Sequence, residues 1–237
     1  MNRTAQDKHK MMTTAPIPKL IASLAVPTII SMLVTSFYVM ADTYFVGKIN
    51  TQSTAAVGIS FSVMAIVQAF GFFFGHGSGN FISRRLGAKD YDSAEKMAST
   101  GFFYAFFSGL LIAIFGNIFL TPICLSLGST ETILPYSESY LSIVLLGAPF
   151  MASSLVLNNQ MRFQGNAVYA MIGIIVGAII NIGLDPILIF TLDMGVAGAA
   201  LSTVISQICS FMVLMYMDSK GTNIKIKFKN FTPSFTY

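Results

Sequence analysis

Residues 20–46 read LIASLAVPTIISMLVTSFYVMADTYFV, and this stretch decides the fold. It contains no Lys, Arg or Glu, and a single acid, Asp42, interrupts it near its end. A helix needs about 20 predominantly apolar residues to cross a bilayer, so the run has the length and character of a membrane span. It is too long for the apolar core of a signal peptide, and no small-residue cleavage site follows it. Five further runs of the same kind lie near 54–82, 94–120, 140–161, 168–190 and 196–217. Turn-forming breaks separate them: GKINTQS, SRRLGAKDYDS, a long loop over 121–139, RFQGNA and TLDMG. The expected fold is an all-α membrane protein with six transmembrane helices.

Composition leads to the same class. The 237 residues are 54% hydrophobic and 10% charged, against about 25% charged in an ordinary soluble domain. The formal charge of +4 raises the question of nucleic-acid binding, and the placement of the charges answers it. Six spans put both termini on one side. Thirteen of the fourteen basic residues fall on that side: Arg3, Lys8, Lys10, Lys19, Arg84, Arg85, Lys89, Lys96, Arg162, Lys220, Lys225, Lys227 and Lys229. Only Lys48 lies on the other. Positive residues accumulate in cytoplasmic loops, so both termini are expected in the cytoplasm of a multi-pass cell-membrane protein. The bases then mark the inner leaflet, with no nucleic-acid partner. The two cysteines, Cys124 and Cys209, have no metal or redox spacing and read as small apolar fillers.

Eight of the ten acidic residues lie in loops, at ends or in the tail, which leaves Asp42 and Asp185 inside spans. A carboxylate in hydrocarbon is costly, and such residues line a pathway or find a partner. Neither span offers a Lys or Arg. Each acid lies about five residues before the outer end of its span, roughly 8 Å below the boundary at 1.5 Å per residue. Thr203, descending in the sixth span, reaches a similar depth. Asn181 lies one turn from Asp185 on the same helical face, and Tyr140 opens the fourth span on the outer side. These oxygen-bearing residues occupy one slab of the outer half-bilayer. A packing reading has Asp42 capping a helix end and Asp185 bonding Asn181. The matched depth and the lack of a basic partner favour a site that receives a cation or holds a protonated carboxyl.

Two prolines add to this picture. Pro186 lacks an N–H and frees the carbonyl of Ile182 beside Asp185, and Pro27 supplies a bending point in the first span. The stretch GFFFGHGSGN puts Gly71, Gly75 and Gly79 on one face, a small-residue stripe suited to close helix approach. It lacks the Lys-Ser/Thr ending of a phosphate loop. His76 stands alone, a weak basis for a proton relay. No nucleophile–base pair or HExxH stands out, so neither an enzyme nor a cofactor is expected.

Several motifs resemble those of the multidrug and toxic compound extrusion (MATE) family. ADTYFVG resembles the end of that family's first helix, and GSGNFISRRLGAKDYDSA its second-helix end and first cytoplasmic loop. NIGLDPILIF followed by MGVAGAALSTVISQ resembles its fifth and sixth helices. The similarity covers about residues 16–218. It implies one six-helix lobe of a MATE-type transporter of the MOP superfamily, exporting amphipathic and often cationic drugs in exchange for H+ or Na+. It also implies an ion site at Asp42, Asn181, Asp185 and Thr203, with Tyr140 close by.

The family has twelve helices in two lobes. The expected organisation is therefore a cytoplasmic segment (1–19), a transmembrane N-lobe (20–218) and the start of a basic inter-lobe linker (219–237). A second lobe is the expected protein partner, alongside small-molecule drugs or organic cations and membrane lipid. The alternatives are a truncated remnant or assembly partner without transport, and a flippase for lipid-linked sugars. The absence of mid-span basic residues disfavours the flippase.

Overall fold

Residues 14–221 and 224–232 are described by the computed structural model, whose secondary structure over that range is helical. Arg3, Lys8 and Lys10, and the far end of the expected linker, lie outside the described residues. The helices are α1 (Ile17–Gly47), α2 (Thr51–Gly87), α3 (Tyr91–Ile118), the short α4 (Leu120–Ser126), α5 (Leu134–Leu146), α6 (Ala148–Phe163), α7 (Ala167–Pro186) and α8 (Gly195–Gly221). Five are long and apolar enough to span a membrane, and the bent pair α5–α6 makes a sixth span.

Helix starts follow local chemistry. Asn50 caps α2 by accepting a hydrogen bond from Ser53 N at 2.7 Å, and Asp90 caps α3 by accepting one from Ser93 N at 3.2 Å. Side-chain oxygens at these positions satisfy amides that the first turn leaves unpaired. The Ser93 bonds, with Arg85 and Lys96 nearby, hold the Asp90 carboxyl below the usual carboxylate range.

The fourth span departs from the sequence reading in two ways. It begins at Leu134 rather than 140, because Pro135 opens α5 at a position where its missing N–H costs nothing. Tyr140 therefore does not open the span; it lies in the second turn. The span is also broken: α5 and α6 meet at Gly147 with a 51° bend. Pro149 explains the break, since it removes the donor that Leu145 O would use in a continuous helix. The loop expected over 121–139 is partly helical, holding most of α4.

Elsewhere most span ends lie a few residues past the apolar runs, while α3 closes at Ile118, before the expected 120. Pro27 sits inside α1, which continues to Gly47. Pro186 ends regular α geometry, and residues Ile187–Thr191 continue as a π-helical segment closed by Leu192 N to Ile187 O at 2.9 Å.

The core centres on α6, packed between α2, α3 and α8. Val156, Leu157 and Met161 meet Val67, Phe102, Ala170 and Leu214. Gly71, Gly75 and Gly79 line the α2 face against α6, where added Cβ atoms would meet Leu155, Asn159 and Phe163. The same helix carries a buried polar run: Gln160 Nε2 donates to Ser78 Oγ (2.9 Å) and Ala98 O (3.1 Å), and Asn158 Nδ2 to Ala170 O (2.8 Å). These bonds join α2, α3, α6 and α7 inside an apolar surround, where side-chain hydrogen bonds hold helices together. Cys124 and Cys209 are free thiols.

Large apolar side chains on α1, including Phe37 and Met40, face outward. An apolar exterior of this extent suits lipid or a further membrane-embedded partner. Helix α1 packs chiefly on α7 and only lightly on its sequence neighbour α2. That choice of neighbour positions the site described below.

Residues 224–232 run back along α3. Lys227 N donates to Ser99 Oγ at 3.1 Å, Asn230 Nδ2 to Glu95 Oε2 at 3.0 Å, and Thr232 N to Thr100 Oγ1 at 3.2 Å. Lys227 Nζ lies 3.9 Å from the Glu95 carboxylate, and Phe231 packs on Phe103 and Tyr104. Glu95 is the main polar anchor of this strap. Glu95→Ala is expected to speed amide exchange over residues 224–232 by roughly tenfold, the loss of about one to two hydrogen bonds, and to leave α6 unchanged. Hydrogen-exchange mass spectrometry checks this.

Candidate cation site between the first, fifth and sixth spans

The packing of α1 on α7, and of α7 on α8, brings Asp42, Asn181 and Asp185 into one buried cluster. Their relative exposures are 7%, 1% and 0%, so all three are withdrawn from the surface. Helical spacing supplies the local reason. Asn181 and Asp185 are four apart on α7 and share a face. On α1, Ser31, Thr35, Tyr38 and Asp42 recur at helical intervals and form a polar stripe along one face.

Ser202 on α8 links the two α7 residues. Asn181 Nδ2 donates to Ser202 Oγ at 3.0 Å, and the Ser202 hydroxyl donates in turn to Asp185 Oδ1. The sequence points to Thr203 on α8, and the α8 residue that bonds Asp185 is its neighbour Ser202. A register signal was available: Gly198, Ser202 and Ser206 form an i, i+4, i+8 stripe of small residues. A Cβ at 198 would lie 2.7 Å from Leu188 O, so glycine there lets α8 approach the π segment closely and brings Ser202 to Asp185.

The other expected residues also converge. Tyr140 is buried and its hydroxyl faces Thr203. The Asp42 carboxyl is within electrostatic reach of Asp185, Tyr38 and Tyr140. Thus the five residues chosen from sequence lie together, drawn from α1, α5, α7 and α8. His76 does not join them; it is exposed, with Nδ1 at 3.0 Å from Phe72 O. Pro27 is four residues from Ser31, at the far end of the same α1 stripe, and Pro186 adjoins Asp185.

The hydrogen-bond inventory of the cluster is one-sided. Asp42 Oδ1, Asn181 Oδ1 and Asp185 Oδ2 are buried and have no donor within the described residues. All three are acceptors, and the ion pairs among the described residues lie elsewhere, between Arg85 and Asp90, Lys96 and Asp92, and Lys227 and Glu95. A buried acceptor without a donor costs about 1–3 kcal/mol. Three such oxygens in one place suit a proton or a small hard cation, which oxygen ligands prefer.

A cavity of about 450 Å³ adjoins the cluster. Tyr38, Asn181 and Thr203 border it beside the acids, and Ser31, Thr35, Gln207 and Ser210 add polar edges along it. Met32, Phe72, Met151, Leu155 and Ile174 supply apolar walls, and Arg162 also lines it. An apolar chamber with a few placed polar groups is the usual form of a small-molecule site.

Residues 27–187 match the MatE family model. The chain is 34% identical over 218 residues to the multidrug export protein MepA of Staphylococcus haemolyticus, and 33% to MepA of Staphylococcus aureus strain MRSA252. It spans about half the length of these curated relatives: 91% and 90% of this chain match 48% of theirs. Among solved structures, a multidrug resistance MATE family transporter of the MOP superfamily in an outward-facing conformation superposes with a TM-score of 0.88 at 29% identity. That match covers 99% of this chain and 52% of the other.

Proposed function

Because the chain belongs to the MATE family of membrane transporters, we propose that it forms the N-terminal lobe of a multidrug antiporter, with Asp42, Asn181 and Asp185 as its coupling-ion site. The observation that carries this reading is the set of three buried acceptor oxygens lacking donors. Either H+ or Na+ supplies what they lack: a proton turns a carboxyl oxygen into a donor, and a cation coordinates all three. Thr203 and Tyr140 complete the surround. The substrates are amphipathic, largely cationic compounds, taken up in the chamber beside the site and exchanged across the cell membrane.

In this reading residues 20–218 are the membrane lobe, both termini face the cytoplasm, and residues 219–237 lead toward a second lobe that closes the substrate cleft. Occupancy at Asp42 biases the shape of α1. That helix is built to bend: Pro27 lies within it, and Thr28, Ser31 and Thr35 each donate to the carbonyl four residues earlier, at 2.8–2.9 Å. Such back-bonding bends helices. An ion that binds one shape of α1 better than the other shifts the population between them, the requirement for alternating access.

Asp42→Asn in the complete transporter polypeptide tests the reading. Export of a cationic dye against its gradient is expected to fall on the order of tenfold, within the usual range of site–site coupling. Dye accumulation in cells equal to wild type, at equal expression, would remove Asp42 from the coupling site.

A further inference from the structure

We propose that Arg162 makes the α6 end of the chamber an anion subsite, so that the cavity accepts amphipathic ligands bearing a carboxylate or phosphate as well as simple cations. The inference rests on the chamber being the ligand cavity of the proposed transporter.

Arg162 lies in the last turn of α6 and lines the same cavity as Asn181 and Thr203. Helix α7 starts at Ala167, just beyond it, and Asp185 lies 18 residues further along. At 1.5 Å per residue Asn181, which lines the chamber one turn before Asp185, lies roughly 21 Å along α7 from that start. One end therefore carries acceptor oxygens, and the other carries a guanidinium with donors only.

Most other basic side chains of the described residues sit at exposed positions. Arg162 is half-buried, and its Nε is fully buried without a hydrogen-bond partner. No ion pair among the described residues includes it. A helix C-terminus attracts a cation, but that role is met by charge alone and leaves the Nε donor unsatisfied. A guanidinium that lines a partly apolar cavity, has donors only and pairs with no carboxylate matches an oxyanion. The walls between the ends, including Met32, Phe72, Leu155 and Ile174, suit the apolar body of a ligand whose anionic group reaches Arg162.

The test uses the complete transporter polypeptide, purified in detergent, and two dyes with one scaffold. Rhodamine B carries a free carboxylate, and its ethyl ester does not. Binding is read by fluorescence anisotropy for wild type, Arg162→Gln and Arg162→Lys. Arg162→Gln is expected to weaken rhodamine B binding by about tenfold or more, the usual worth of a charge-assisted hydrogen bond, and to leave the ester within about twofold. Arg162→Lys is expected to fall between, since it keeps the charge and loses the fork.

Unchanged ester binding also reports an intact fold. Titration with a phosphatidylglycerol distinguishes the two sources of the anion. Competition against rhodamine B that disappears in Arg162→Gln identifies a lipid phosphate at this subsite. Equal loss for both dyes, equal affinity in all three proteins, or wild type binding the ester but not the acid overturns the subsite. An Asp42→Asn protein that has lost coupled export while Arg162 makes no difference to either dye separates this failure from failure of the coupling site.

Discussion

Asp185→Asn is expected to lower drug export by the complete transporter on the order of tenfold to a hundredfold, with little change in the amount of folded protein. Asparagine has the shape of aspartate and retains Oδ1, so the Ser202 hydroxyl still has its acceptor. What disappears is the charge and the titratable proton, at a position whose second oxygen is buried without a donor. If the site exchanges H+ or Na+, coupling fails although packing survives, and a loss of this size matches typical coupling energies of about 1–3 kcal/mol. Ser202→Ala gives the contrast. It removes the link between Asn181 and Asp185 but leaves both acids, so export is expected to fall by less than in Asp185→Asn. Cell efflux assays at matched membrane expression measure both. Export by Asp185→Asn equal to wild type would reduce Asp185 to a packing residue.

The second large effect is structural. Gly109→Ala is expected to lower the apparent Tm and the yield of monodisperse protein sharply, whereas Gly58→Ala is expected to be neutral or slightly stabilising. Both glycines are helical, and Ala is the better helix former by about 1 kcal/mol. Their surroundings differ. A Cβ at 58 meets nothing within 4 Å, whereas one at 109 would lie 2.7 Å from both Ala148 O and Pro149 Cα. Those are backbone atoms at the break in the fourth span, and they cannot rotate away. Overpacking costs about 1–3 kcal/mol where side chains can yield, and this is the upper limit of that case. Equal thermal stability of the two variants would show that the α5–α6 junction moves freely against α3.

How far the sequence carried the fold follows from which physics was local. The six spans were legible because hydrocarbon demands long apolar runs, and a run such as 20–46 has no soluble alternative. The bend at Gly147 was not, because hydropathy continues unbroken through LLGAPFMASS and only Pro149 marks the interruption. The start of the fourth span was misplaced for a related reason: LPYSES is polar enough to resemble a loop, and Pro135 at its first turn is a helix start rather than a stop.

Site legibility divides along the same line. Asp42 and Asp185 stand out because a charge inside a span is costly wherever its neighbours lie. That Ser202, the neighbour of Thr203, is the α8 residue bonded to Asp185 depends on rotation about the helix axis, which depth does not report. Two further features are tertiary. Asn158 and Gln160 read as ordinary polar residues near a span end until α6 is seen at the centre of the bundle. Arg162 reads as one more inner-leaflet base until it is found lining the chamber.

If Asp42 and Asp185 bind the coupling ion, ion-driven flux in proteoliposomes depends on both. The complete polypeptide is reconstituted as wild type and as the Asp42→Asn/Asp185→Asn double variant, and dye movement is recorded under an imposed H+ or Na+ gradient. Wild-type flux is expected to accelerate and reverse with the sign of one gradient, and the double variant, still binding dye, to ignore both. A double variant that follows the gradient as wild type does would contradict that role for the two acids.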